Sequence, residues 1–130
     1  MTGLSFEEYN EWRVFLKERF EDLNPRVHVI NPGDYFSLEE VEEGGEEVQR
    51  RAMNFDLHKV RNSGLLICNF NAPKSLGTMG EMAIAYDRGI HIIGLNTECK
   101  KLHPWSELMC EIIFDDVDDL ISYVAKCYID

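Results

Sequence analysis

Residues 65–95 read LLICNFNAPKSLGTMGEMAIAYDRGIHIIGL, and the order of apolar and small residues within them decides the fold. Leu65 to Phe70 is a mostly apolar run of strand length. A polar loop with two glycines nearby follows it. From Met79 to Arg88, small and apolar residues recur at helical spacing, and Gly89 stands where a left-handed C-terminal cap is expected. Ile90 to Leu95 is a second apolar run. Strand, helix and strand in this order make a βαβ unit. Strands this uniformly apolar belong to a parallel sheet covered on both faces.

The flanks extend the same pattern. Ser5 and Glu8 form a capping box, with Leu4 and Tyr9 placed for a hydrophobic staple. Tyr9, Trp12, Leu16, Phe20 and Leu23 then give one apolar stripe that ends at Asn24-Pro25. Val27 to Ile30 reads as a short buried strand. The six glutamates between Leu38 and Glu47 read as a solvated loop or helix start. Val48, Ala52, Phe55, Leu57 and Val60 place a second helix from Glu46 to Asn62. Beyond Leu95, a polar connection containing His103-Pro104-Trp105 leads to a last strand, Cys110 to Phe114. Asp115 or Asp116 can cap a final helix with the stripe Val117, Leu120, Ile121, Val124 and Tyr128. The expected architecture is one α/β domain over residues 1–130. It is doubly wound, Rossmann-like and three-layered, with a mainly parallel sheet of four to five strands, and unusual in opening with a helix.

Composition bounds the partners. At 130 residues, 45% hydrophobic and 11% aromatic, the chain can bury a core that offsets its conformational entropy. Thirteen Lys and Arg against 24 Asp and Glu leave a net charge of -11, which argues against a nucleic-acid polymer or an anionic membrane surface. No apolar run approaches membrane-spanning length and no signal peptide is evident, so a soluble cytoplasmic protein is expected. Cys68, Cys99, Cys110 and Cys127 are widely spaced with no CxxC pair, which favours free or buried thiols over zinc or disulfides.

In open α/β sheets, ligands bind beyond the carboxyl ends of the strands. The loop after Leu65–Phe70 is therefore the place for chemistry. It runs from Asn71 through Ser75, Gly77 and Thr78 to Glu81, and its backbone N–H groups and hydroxyls suit phosphate or sugar oxygens. It is neither a P-loop nor a GxGxxG dinucleotide fingerprint. Glu81 is expected in the first helical turn, where the helix dipole favours its ionised form and keeps it available as a nucleophile.

The stretch Ser75-Leu76-Gly77-Thr78-Met79-Gly80-Glu81-Met82-Ala83-Ile84-Ala85-Tyr86-Asp87-Arg88-Gly89 resembles the signature of the nucleoside 2-deoxyribosyltransferase family, which includes the deoxynucleoside 5′-monophosphate N-glycosidases. There a strand leads through Ser or Asp, any residue, Gly and three more residues to a nucleophilic Glu. Thr2-Gly3-Leu4-Ser5-Phe6 with Trp12 resembles the loop and helix after the family's first strand, and His103-Pro104-Trp105 resembles a late-loop motif of some members.

The resemblance implies that Glu81 attacks the anomeric carbon of a 2-deoxyribosyl group, leaving a covalent glycosyl-enzyme that water or a second base resolves. It implies that Asp56 orients the sugar or assists protonation of the base. Ser75 resembles the serine with which the monophosphate hydrolases contact the 5′-phosphate; Gly77, Thr78 and Asn71 would line the substrate loop. Ser106 would be either a phosphate contact across a dimer or a helix cap. The implied partner is a small nucleoside or nucleotide, with no metal or organic cofactor, in a homodimer or larger homo-oligomer. The family's first strand has no counterpart ahead of Met1-Thr2-Gly3, which implies either an upstream start or a shortened member with an incomplete pocket.

Two alternatives stay open. Gly77-Thr78-Met79-Gly80-Glu81 also fits part of the motif of the cytokinin-activating phosphoribohydrolases, which cleave ribonucleotides, although that family's preceding glycine pair is absent. The other is a non-catalytic nucleotide-binding α/β protein.

Overall fold

The computed structural model describes residues 6–24, 26–29, 43–70 and 76–129, with residues 6–12 and 76–77 as backbone only. The chain forms α1 (Phe6–Leu23), α2 (Gly45–Arg61), β1 (Leu65–Asn69), α3 (Leu76–Asp87), β2 (His91–Leu95), α4 (Pro104–Met109), β3 (Ile112–Phe114) and α5 (Val117–Val124), the last running into a π-helical turn, Ala125–Ile129. The strands form one parallel sheet in the order β1-β2-β3. Leu65 pairs with His91 through to Asn69 with Leu95, and Ile93 pairs with Ile112 through to Leu95 with Phe114.

Strand side chains alternate between faces, and both faces are covered. Leu65, Ile67, Ile93, Leu95, Ile112 and Phe114 pack with Leu16 and Phe20 of α1 and Leu120, Ile121 and Val124 of α5. Leu66, Cys68 and Ile92 point the other way, against Val60 of α2, Met82 and Ala85 of α3 and Met109 of α4. The result is a doubly wound, three-layer α/β arrangement of Rossmann-like type. Leu120 is fully buried, so truncating it to Ala should cost about 2–5 kcal/mol.

Local chemistry sets the element ends. Gly89 takes φ +73° and its N–H donates to the Tyr86 carbonyl at 3.1 Å, while Ile90 N–H donates to Ala85 at 2.9 Å. These bonds close the end of α3 and aim the chain into β2. Asp116 caps α5, its side chain accepting from Asp118 N–H. Glu46 and Glu47 occupy the first turn of α2 and pair one turn on with Arg50 and Arg51, so the described end of the glutamate run is a solvated helix start.

The structure departs from the sequence expectations in several places. The sheet has three strands among the described residues rather than four to five. Residues 27–29 carry no strand pairing; Val27 and Val29 pack on the core while His28 between them is exposed, and Ile30 of the expected strand lies outside the described residues. The short helix α4 was read as polar connection, because six residues opened by a proline carry too little periodicity. The last strand is Ile112–Phe114, shorter than expected from Cys110. The final helix widens at Ala125 into a π-helical turn, where Asn24 Nδ2 donates to Ile129 O at 3.2 Å and Tyr128 bonds to Glu111. The Ser5 cap and Leu4 of the staple lie outside the described residues. Among the described helices, none is long and apolar enough to cross a membrane.

Candidate functional site

A cavity of about 550 Å³ opens beside β1, between α1, residues 27–29, α2, α3 and the C-terminal turn. That volume lies in the range of small-molecule sites. Its wall includes apolar Leu16, Phe20, Leu65 and Ile67, and its charged lining includes Arg13, Asp56, Lys59 and Glu81.

Three of these charges occupy inward helix faces. Arg13 precedes buried Leu16 and Phe20 at helical spacing on α1. Asp56 lies one turn from buried Ala52 and from buried Val60 on α2, and Glu81 lies one turn before fully buried Ala85 on α3. An apolar residue is the default at each position, since burying charge is costly unless it is compensated. Here a cation and two carboxylates line one cavity.

Electrostatics follow from that placement. The Glu81 carboxyl is pushed above its ordinary range, chiefly by burial and next by the negative charge of Asp56, while the Arg13 charge opposes both. The Asp56 carboxyl is also raised by burial and lowered by Arg13. The placement corrects one expectation: α3 begins at Leu76, not Met79, so Glu81 lies in the second turn and not the first. The helix dipole acts within the first turn, and burial rather than the dipole governs this carboxyl.

Thr78 lines the cavity with Glu81 and Asp56. Gly77 sits in the first turn of α3. Asn71 and Ser75 lie outside the described residues. Ser106 is buried within α4, where its hydroxyl donates to Met79 Sδ at 3.3 Å; it is neither part of the cavity lining nor the cap of that helix. The cap is His103, whose Nδ1 accepts from Trp105 N–H at 3.1 Å.

Sequence reading missed Arg13, His28 and Lys59 as cavity residues. For Arg13 a signal existed: a cation in register with Leu16 and Phe20 on the apolar stripe. His28 and Lys59 carried none, since each alternates with core residues as a surface group would.

All four cysteines are free thiols. Burial pushes Cys68 well above the usual thiol range and Cys110 up to about 11, so neither is a thiolate nucleophile near neutral pH. Among the described residues, no three His, Cys, Asp or Glu side chains converge as a metal site.

No protein-family model matches the chain, and no curated protein matches it. The functional reading therefore rests on the residues of the cavity and on the motif around Glu81.

Proposed function

We propose that the protein cleaves or exchanges the N-glycosidic bond of 2-deoxyribonucleosides or their 5′-monophosphates. In the proposed reaction a Glu81 carboxylate oxygen bonds to the anomeric carbon as the bond to the base nitrogen breaks. The base leaves with the bonding electrons and takes up a proton. Water, or a second base, then attacks the same carbon as its bond to the Glu81 oxygen breaks, and the proton shed by the attacking group passes to Asp56 or to solvent. The supporting observation is the convergence of Glu81 and Asp56 on one cavity, together with Thr78. Asp56, which reaches the same cavity from α2, is assigned to orient the sugar or to assist protonation of the departing base.

The first turn of α3, with Gly77 and Thr78, and the preceding Ser75 and Asn71 are assigned to the 5′-phosphate or sugar oxygens. A helix N-terminus can hold a phosphate despite the chain's net charge of -11. Ser106 is left out of this site because its hydroxyl is bonded to Met79 within the same chain. The same reading carries a fuller sheet of four to five strands and a homo-oligomer. Exposed Trp105 and Leu108, one turn apart on α4, support an assembly surface.

The test is incubation with a panel of deoxynucleosides, ribonucleosides and their 5′-monophosphates, following free base by chromatography. Base release from deoxy substrates, lost in Glu81→Ala, is the expected result. Release from ribonucleotides alone would move the protein to the phosphoribohydrolase reading, and no release from any substrate would leave the non-catalytic one. Ser75→Ala should weaken monophosphate use far more than nucleoside use.

A further inference from the structure

Arg13 is a cation built into the inward face of α1, on a chain with almost twice as many acidic as basic residues. It lies in register with buried Leu16 and Phe20 and lines the cavity that Asp56 and Glu81 enter from α2 and α3. We propose that Arg13 is a positioning residue for the Glu81 carboxylate, its guanidinium supplying from the wall of the shared cavity the positive charge that balances the two carboxylates brought in by α2 and α3. The inference rests on Glu81 being the nucleophile of the proposed reaction.

The geometry supplies the reason. Arg13 comes from α1, Asp56 from α2 and Glu81 from α3, and without Arg13 the two carboxylates would face each other in a partly dehydrated wall with less positive charge to offset them, which favours the protonated form of either. Other charged or titratable groups face the same space: Lys59 from α2, His28 from residues 26–29, Cys68 from β1 and Tyr128 from the C-terminal turn. Cys68 carries no charge near neutral pH, and Lys59 Nζ lies over the Phe55 ring at 5.4 Å from its centroid. Arg13 is the cation whose charge bears on both carboxylates, drawing each of them downward. A guanidinium stays protonated at every relevant pH, so the balance is constant.

The experiment is a carbon-13 NMR titration of the Glu81 carboxyl in glutamate-labelled protein, assigned with Glu81→Gln, for the wild type, Arg13→Met and Arg13→Lys. Arg13→Gln is the second neutral variant should Arg13→Met fail to fold. The Glu81 midpoint should rise by about half to one pH unit in the neutral variants and stay near wild type in Arg13→Lys. The acid limb of base release should move by the same interval. A midpoint unmoved in the neutral variants overturns the proposal, as does a moved midpoint with an unmoved acid limb in an active enzyme. Absence of base release from the wild type on every substrate would overturn the nucleophile reading instead, and the NMR shift would then stand by itself as the electrostatic result.

Discussion

Asp56 and Glu81 face one cavity from neighbouring helices, and the charge on Asp56 makes Glu81 harder to ionise. A carboxyl whose folded pKa lies above its unfolded value destabilises the fold once ionised. The stability is lost as pH rises from the unfolded pKa through the folded one, and it stays lost above. Glu81→Gln should therefore melt at a higher temperature than the wild type at neutral pH, with the difference vanishing below about pH 4. The same change should lower base release by about 10³-fold or more. Thermal melts over a pH series, paired with the chromatographic assay, check both halves; a variant less stable at pH 7 would contradict the first.

Removing the charge of Asp56 acts on Glu81 in the opposite sense to removing Arg13. In Asp56→Asn the Glu81 carboxyl loses a like-charged neighbour and should titrate at lower pH, moving the acid limb of the pH–rate profile downward. If Asp56 also transfers the proton, the maximal rate should fall about 10²–10⁴-fold. A pH–rate profile separates the two effects, since a purely electrostatic role would shift the limb and spare the plateau.

At the amino ends of β2 and β3, Glu111 gathers donors from three directions. Tyr123 Oη lies 2.6 Å from one carboxylate oxygen, Tyr128 Oη lies 2.9 and 2.7 Å from the two oxygens, and His91 Nδ1 lies 2.8 Å away. The tyrosine hydroxyls, and after them His91, hold the Glu111 carboxyl below its ordinary range. A depressed carboxylate contributes stability above its unfolded pKa and loses it as pH falls through the folded value. Glu111→Gln should thus lower the melting temperature near neutral pH and match the wild type in strong acid. The effect should be modest, because solvent screens this exposed group.

Gly94 shows where the core admits no Cβ. A methyl built there would lie 2.6 Å from Phe70 Cε2 and 3.2 Å from Ile113 Cγ1. Phe70 also extends the ladder past β1, its N–H donating to Leu95 O at 2.8 Å, so its ring is fixed from the backbone side. Gly94→Ala should cost about 1–3 kcal/mol by overpacking, measured by urea denaturation.

Trp105 and Leu108 remain 68% and 76% exposed. If α4 carries the proposed assembly surface, Leu108→Arg should convert the wild-type oligomer to monomer in light scattering without altering the melting temperature of the monomeric unit. A strictly monomeric wild type would remove this surface from the reading.

The local parts of this fold were legible in the residues themselves. Apolar runs at Leu65 and Ile90 became strands, Gly89 became the left-handed cap, and Asp116 became the cap of α5, because each signal is carried by neighbours in the chain. Glu81 could be named from its place in the loop-to-helix stretch after β1, and Asp56 through the family resemblance alone. What the sequence could not carry was their company. Arg13 stands in register with Leu16 and Phe20 on the apolar stripe, but that register does not say which charges it meets, and this follows when α1 packs across the sheet and turns that face toward α2 and α3. The start of α3 at Leu76, which moves Glu81 out of the reach of the helix dipole, likewise follows from a first turn without strong local signals. Helix periodicity and capping act over a few residues, and they set the elements of this protein. Burial and Coulomb interaction act across the distances that folding closes, and they alone decided which charges meet.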